Sequence, residues 1–177
     1  MTKKETAKKN DRSALERLFL HALKDMYFAE GAIHKAFVDV ARNAKLPSLQ
    51  AALTAHCEET KDQTERLEKV FEIFEAKPKA ISCEAIKGIL EESSNVLDQF
   101  GDTEAADAAA IFCCQAIKHY EITRYGTLRE WARELGRMDA ARILSELLDQ
   151  EYAADQMLTK IAEDRANKVA EGEIAAE

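Results

Sequence analysis

The sequence predicts an all-α protein: a four-helix bundle made of two long helical hairpins joined by a crossover that contains a short helix. Apolar residues recur at steps of three and four along four long stretches, which is typical of amphipathic helices. The chain of 177 residues has only 6 Gly and 2 Pro, a composition that favours helices over strands. About 25 residues separate Pro78 from Thr103, too many for a tight helical turn, so a crossover is expected there.

Residues that cap or break helices set the predicted boundaries. The expected helices run from Ser13 to about Lys45, from about Ser48 to the residue before Pro78, from about Cys83 to Phe100, from just after Asp102 or Thr103 to about Leu135, and from about Asp139 to Arg165. Either Asp102 or Thr103 can be the N-cap of its helix. Ser13 can cap the first helix with Glu16 completing a capping box, and Gly136 fits a left-handed C-cap. This order of elements is the connectivity of ferritin-like folds.

Length and charge limit the possible functions. The length predicts one domain, a bundle over residues 13–165, with flexible tails at 1–12 and 166–177 that lack periodic apolar residues. The 25 Lys and Arg against 33 Asp and Glu give a net charge of −8, which argues against nucleic-acid binding. No apolar run approaches the roughly 18 residues of a membrane span, and no signal segment follows the Lys-rich start. We therefore expect a cytoplasmic protein that is not attached to a membrane.

Polar residues interrupt the apolar stripes near the middle of the predicted helices. They are Glu30 in the first helix, His56, Glu59 and Gln63 in the second, Glu121 on the flank of the third, and Glu151 and Asp155 in the fourth. An isolated buried carboxylate costs several kcal/mol, so these groups must be protonated, paired with cations or exposed. Carboxylates and a histidine at the centre of a bundle are the ligands that iron and manganese use.

The sequence therefore predicts a metal site with Glu30, Glu59, Glu121, Glu151, Asp155 and His56 as candidate ligands and one or two ions of iron or manganese. The five carboxylates and the Lys118 ammonium together carry a formal charge of −4, which two divalent cations would neutralise.

Other interpretations stay open. A Glu within an apolar stripe can reach solvent at a helix edge. His56 can bind a metal or only donate to Glu59, and Gln63 can support the site. His119 points about 100° away from Lys118, which favours a role outside the cluster. Tyr125 is interpreted as an amphipathic core residue.

Four segments resemble the YciE/YciF family of bacterial ferritin-like stress proteins. They are LKDMYFAE ending at Glu30, AHCEETKDQTERLE around Glu59, QAIKHYEITRYGTL around Glu121, and LLDQEYAAD from Leu147 to Asp155. The resemblance covers residues 13–165. It implies a ferritin-like bundle, commonly dimeric, with a dinuclear metal centre between the four helices and a role in stress response. It also implies that Glu30, Glu59, Glu121 and Glu151 correspond to family carboxylates.

Two positions depart from that family. Its members have a Glu ahead of the HYE motif, where this chain has Lys118. The Glu-x-x-His pair of di-iron carboxylate proteins is also missing, because Asp62 and Ala154 stand three residues after Glu59 and Glu151. We hypothesise that the Lys118 ammonium takes the electrostatic place of one metal ion and leaves a mononuclear or empty site.

The leading functional prediction is a homodimeric ferritin-like stress-response protein with a carboxylate-rich site for iron or manganese. The alternative is a structural or interaction protein whose bundle mediates dimerisation or partner binding with no metal bound. Iron storage is less favoured, since it requires a hollow shell of many subunits that nothing in the sequence specifies. Catalytic residues are not identified, because an enzyme would need an open coordination position that a sequence does not reveal.

Overall fold

The computed structural model describes residues 12–172 and 174–175. Four long helices and a shorter one, α3, form most of it: α1 Ala14–Asn43, α2 Pro47–Ile73, α3 Glu84–Phe100, α4 Ala106–Glu134 and α5 Met138–Ile161. A π-helical turn at Ala162–Ala166 and a short helix α6, Asn167–Ala170, follow. The predicted all-α class is confirmed. Over the described ranges the structure has no β-strand, and none of its helices is long and apolar enough to cross a membrane.

Two hairpins make the bundle. α1 lies along α2, α4 lies along α5, and the hairpins meet where α2 contacts α5 and α1 contacts α4. α3 belongs to the crossover and packs mainly on α4. The apolar stripes of the four long helices therefore converge on one core, which includes the fully buried Phe19, Phe37, Leu67, Leu128 and Leu144.

The predicted caps at two helix ends are present. Ser13 Oγ accepts the amide of Glu16 at 3.1 Å at the start of α1. Gly136 has a φ of +69°, and the amides of Gly136 and Arg137 bond back to Arg133 and Ala132 at 2.9 and 2.8 Å. These two hydrogen bonds form a Schellman motif, which needs a residue that tolerates positive φ.

The start of α4 differs from the sequence prediction. Neither Asp102 nor Thr103 caps the helix, which begins at Ala106. Thr103 lies instead in a turn, where its hydroxyl donates to the Phe100 carbonyl at 2.7 Å and accepts the Ala105 amide at 3.2 Å. These local bonds hold the backbone in a turn and delay the helix by about one turn.

The carboxylate of Asp107 fixes the turn between α1 and α2. Its two oxygens accept the backbone amides of Lys45 at 2.9 Å and Leu46 at 2.7 Å. Asp107 is only 7% exposed, and it lies in the first turn of α4, where the helix dipole also favours a negative charge. One side chain therefore ties both hairpins together.

The C-terminal end of the described chain is helical beyond the predicted boundary at 165. The chain continues through the π-helical turn into α6, since Ala166 and Val169 bury their side chains. Residues 1–11 of the predicted N-terminal tail, and 173, 176 and 177 of the predicted C-terminal tail, lie outside the described residues.

Candidate metal centre

Seven polar side chains from four helices meet in the middle of the bundle, and this group is called the central cluster below. Its members are Glu30 from α1, His56 and Gln63 from α2, Lys118, Glu121 and Tyr125 from α4, and Glu151 from α5. His56 is 6% exposed and the other six are fully buried. Such a concentration of charge in a dry core is expensive unless nearly every group has a partner.

The Lys118 ammonium occupies the middle of the cluster. Its Nζ lies 2.5 Å from Glu121 Oε2, 2.5 Å from Glu151 Oε2 and 2.8 Å from His56 Nε2. The Phe37 ring lies beside it, with its centroid 5.1 Å from Nζ. Because an ammonium has only donors, His56 Nε2 must accept from it, which places the ring proton of a neutral imidazole on Nδ1.

The carboxylates differ in how fully they are satisfied. Glu151 uses both oxygens, since Oε1 accepts Gln63 Nε2 at 2.5 Å and Oε2 accepts Lys118. Glu30 Oε1 accepts the Tyr125 hydroxyl in a short hydrogen bond. Glu30 and Glu121 are close enough that one carboxyl, when protonated, can donate to the other.

Four oxygens of the cluster lack a hydrogen bond: Glu30 Oε2, Gln63 Oε1 and both oxygens of Glu121. Glu121 Oε2 has the ion pair with Lys118, whereas the other three have no partner. An unsatisfied buried acceptor costs about 1–3 kcal/mol. A proton can satisfy the carboxylates, and a cation can satisfy both the carboxylates and the amide oxygen of Gln63, because a proton and a cation both accept oxygen lone pairs. Each oxygen belongs to the hard class that iron and manganese bind.

Burial and neighbouring charges shift the pKa values of the cluster. Burial, together with the charge of Glu151, raises the pKa of Glu30 to about 7. Burial also raises the pKa of Glu121 well above its usual range, although Lys118 opposes this. Burial alone would lower the pKa of Lys118, but the negative charges of Glu121 and Glu151 outweigh the effect of burial and raise this pKa. Burial and the adjacent Lys118 lower the pKa of His56 to about 4.

The charges of the cluster leave an imbalance that one divalent cation matches. Three carboxylates against one ammonium and a neutral imidazole leave two negative charges when every carboxylate is ionised. Two protons on Glu30 and Glu121, or one divalent cation, restore neutrality. The residues present therefore fit one metal ion next to Lys118.

Four of the six predicted ligands lie in the central cluster: Glu30, His56, Glu121 and Glu151. One ligand atom each from His56, Glu121 and Glu151 lie within 4.8 Å of one another, and within the described ranges these three form the group with metal-binding geometry. Lys118 Nζ contacts all three residues. The ammonium thus stands where a cation shared by these three side chains would stand.

The structure places Glu59 and Asp155 outside the cluster. The Glu59 side chain is 52% exposed, with Oε2 4.0 Å from His56 Nδ1. Asp155 is 18% exposed and lies between α4 and α5, where its Oδ1 is 3.4 Å from His119 Nε2 and accepts Gln115 Nε2 at 3.2 Å. Both carboxylates are hydrated at least in part and need no metal to remain charged.

Sequence reasoning missed the part that Tyr125 plays in the cluster. It predicted a core side chain, and Tyr125 is fully buried, but its hydroxyl also holds Glu30. The spacing contained the signal, since Tyr125 follows Glu121 by four residues and side chains four apart share one face of a helix.

Comparison with known proteins identifies the family. A family model described as "Domain of unknown function (DUF892)" matches residues 14–171. The chain belongs to the DUF892 family. Protein YciF of Escherichia coli (strain K12) is 40% identical over 158 residues, which cover 89% of this chain and 95% of YciF. The predicted resemblance to the YciE/YciF family is therefore confirmed, and the chain is a homologue of a stress protein.

Solved structures share the fold of this DUF892 member. The crystal structure of the E. coli stress protein YciF has a TM-score of 0.83 at 39% identity and covers 89% of this chain and 99% of its own. YcfI of Rhodopseudomonas palustris, provisionally described as a structural protein, has a TM-score of 0.82 at 41% identity, with coverage of 86% and 97%. A Xanthomonas campestris protein at 20% identity, with a TM-score of 0.71, shows the fold alone.

The pKa of Glu30 predicts how the stability of chelator-treated protein changes with pH. With a folded pKa of about 7, Glu30 binds a proton only in the folded state between about pH 4.5 and 7. The folded state then holds more protons, so the free energy of unfolding rises as the pH falls through this window. His56 acts in the opposite direction below about pH 6.5, because with a pKa of about 4 it stays neutral when folded but takes up a proton when unfolded.

We therefore expect the chelator-treated protein to become more stable by about 1 kcal/mol when the pH falls from about 8 to about 6.5. Urea unfolding at a series of pH values measures this. Glu30→Gln should remove most of the slope, since its amide does not titrate. A wild-type protein that loses stability over this interval would contradict the protonation of buried carboxyls.

Proposed function

We propose that this protein is a ferritin-like stress protein that binds a single divalent iron or manganese ion in the central cluster, beside Lys118. One observation carries the proposal: three buried oxygens, Glu30 Oε2, Gln63 Oε1 and Glu121 Oε1, have neither a hydrogen bond nor an ion pair, in a cluster that carries two negative charges when its carboxylates are ionised. The role in stress response is taken from the homologous stress protein YciF.

Glu30, Glu121 and the amide oxygen of Gln63 would hold the ion. They come from three helices, so the ion would cross-link α1, α2 and α4. Lys118 keeps Glu151 and His56 occupied, which supports one ion over two. A bound iron or manganese ion would supply Lewis-acid or one-electron chemistry, while Tyr125 orients Glu30 through its hydroxyl.

Metal analysis tests the number of ions. Protein purified without chelator and measured by elemental mass spectrometry should contain about one iron or manganese per chain. Lys118→Glu should raise this toward two, because it replaces the internal cation with a ligand. Glu121→Gln should lower it strongly, whereas Glu91→Gln on the exposed face of α3 should leave it unchanged. Equal metal content in the wild type and Lys118→Glu would contradict the idea that Lys118 takes the place of an ion.

A second candidate is a structural or interaction protein without metal. The contacts of Lys118 favour it, since one ammonium already pairs with Glu121 and Glu151 and Gln63 completes Glu151. YcfI is provisionally described as a structural protein. Native protein that stays free of metal after purification with added iron and manganese would favour this candidate.

The homodimer and the cytoplasmic location stay predictions of the sequence. The exposed apolar side chains of Phe112, Met138 and Met157, each more than half exposed, offer contact surfaces that a second copy could cover. Sedimentation of the purified protein measures the number of chains per particle.

A further inference from the structure

A cleft with a volume of about 640 Å³ lies between α1 and α3, with α4 as its floor, and is called the α1–α3 cleft below. It is open because α3 packs mainly on α4 and makes few contacts with α1. The α4 side chains of the floor are short where the cleft is deepest: Ala106, Ala110, Cys113 and Cys114. Ligand sites in proteins have volumes of about 300–1,000 Å³, so the cleft has room for a small organic molecule.

One end of the α1–α3 cleft is apolar. Phe37 on α1, Leu90 on α3 and Ile117 on α4 line it there. The thiol of Cys114 adds no charge, because burial raises its pKa to about 12. This end therefore favours the apolar part of a ligand, which loses contact with water when it enters.

The other end carries carboxylates, at the level where α1 ends and α4 begins. The exposed side chains of Asp39, Asp98 and Asp102 line the cleft from α1, from α3 and from the segment that follows α3. Two cations lie near them: Lys45, whose Nζ donates to a backbone carbonyl at 3.0 Å, and Arg42, which pairs with Asp39 at 3.3 Å. Even with both cations counted, this end keeps a negative charge.

Asp107 adds a buried carboxylate to the same end of the cleft. It is 7% exposed, and its oxygens accept the amides of Lys45 and Leu46. Within the described residues it forms hydrogen bonds but no ion pair with a Lys, Arg or His side chain. A carboxylate has room for further hydrogen bonds, so an ammonium that enters the cleft would be its first cationic partner.

The two ends lie about 15 Å apart, because ten residues of α4 separate Asp107 from Ile117 and each adds about 1.5 Å. We infer that the α1–α3 cleft binds a primary amine with an apolar chain or ring, its ammonium at the carboxylates and its apolar part toward Phe37 and Ile117. An amphiphile with a carboxylate head would meet repulsion at the charged end, and a neutral alcohol would lack the ionic attraction. This ligand site goes beyond the proposed metal function and does not depend on it.

Calorimetric titration of the wild-type protein with three probes of equal chain length tests the inference. At pH 7.5, octylamine should bind at least tenfold more tightly than octan-1-ol, and octanoate should not bind measurably. Propylamine, too short to reach the apolar end, should bind at least tenfold more weakly than octylamine. Equal affinities of octylamine and octan-1-ol would overturn the proposed amine site.

A pair of double variants shows whether the carboxylates of the cleft recognise the amine. Asp98→Asn with Asp102→Asn should weaken octylamine binding about tenfold and leave octan-1-ol unchanged. Asp149→Asn with Asp164→Asn is the matched control, since it removes the same charge from exposed positions that do not line the cleft, and it should keep the wild-type affinity. An equal loss in both double variants would mean attraction by overall charge and would overturn the site.

Amide chemical shifts of labelled protein locate the bound amine. Octylamine should shift the amides of Leu97 and Ala110, which line the cleft, before those of the remote α5 residues. Shifts confined to other surfaces would contradict the inference. Cleft amides that respond to protein concentration and not to octylamine would also overturn it, because a second copy of the chain would then cover the cleft.

Discussion

Lys118→Met should lower the free energy of unfolding of the chelator-treated protein by about 3–5 kcal/mol at pH 8. Methionine is similar in length and apolar, so the change removes the charge with little loss of volume. Glu121 and Glu151 would then lose the ammonium that lies 2.5 Å from each of them. Both are fully buried, so water cannot replace the lost partner. Chemical denaturation followed by circular dichroism measures the effect.

The matched control for this prediction is Lys87→Met on α3. Lys87 pairs with Glu84 at 3.0 Å, but both side chains are largely exposed, so water replaces the partner and stability should change little. The loss in Lys118→Met should also shrink when the pH is lowered, because Glu121 can then take up a proton. A change no larger than that of Lys87→Met would mean that Lys118 does not hold the cluster together.

Asp107→Ala should destabilise the protein by about 2–4 kcal/mol, the second largest effect expected. The carboxylate accepts the amides of Lys45 and Leu46, and Leu46 is only 2% exposed. Removal of both acceptors leaves a buried amide without a partner where the chain enters α2. The effect is measured by urea unfolding at neutral pH, with or without metal, since Asp107 lies outside the central cluster.

Two further variants show whether the lost hydrogen bonds cause this effect. Asp107→Asn keeps one acceptor oxygen and the shape of the side chain, so its loss should be intermediate. Asp102→Ala removes an exposed carboxylate just before α4 and should have little effect. If Asp107→Ala were as mild as Asp102→Ala, the link between the two hairpins would not contribute to stability.

Most of the fold could be predicted from helical periodicity and caps. Ser13 and Gly136 behave as their residue types predict, because a hydroxyl before a helix and a glycine after one satisfy the free backbone groups. The start of α4 could not be predicted, since Thr103 can cap a helix or close a turn. In the structure its hydroxyl donates a hydrogen bond to the Phe100 carbonyl, which closes a turn. Burial of Val169 extends the helical region beyond 165, although the sequence near it shows no amphipathic pattern.

The placement of Glu59 shows where spacing alone stops being informative. Residues 59 and 60 follow His56 by three and four positions, and either step stays near the same helix face. Thr60 takes the inward position: it is only 3% exposed, and its hydroxyl donates a hydrogen bond to the His56 carbonyl. A threonine is far less costly to bury than a carboxylate, so the helix turns Glu59 toward water.

Lys118 could be placed near Glu121 from the sequence, but its contacts across the bundle could not. A step of three residues puts both side chains on one face of α4. The contacts to Glu151 on α5 and His56 on α2 depend on how the hairpins dock. Asp155 likewise follows Glu151 by four residues, yet it pairs with His119 and Gln115 of α4 on the flank of the bundle. The rotation of α5 about its own axis decides which of its side chains face the core, and that rotation depends on the packing of the neighbouring helices.

The four-helix origin of the central cluster has a consequence for how the protein is made. The α1–α2 hairpin alone carries Glu30, His56 and Gln63, but it lacks Lys118 and Glu151. The full set of charges first comes together after α5, which carries Glu151, has been synthesised. Under the proposed metal function, a nascent chain would have no finished site to fill, and loading with an ion would follow translation.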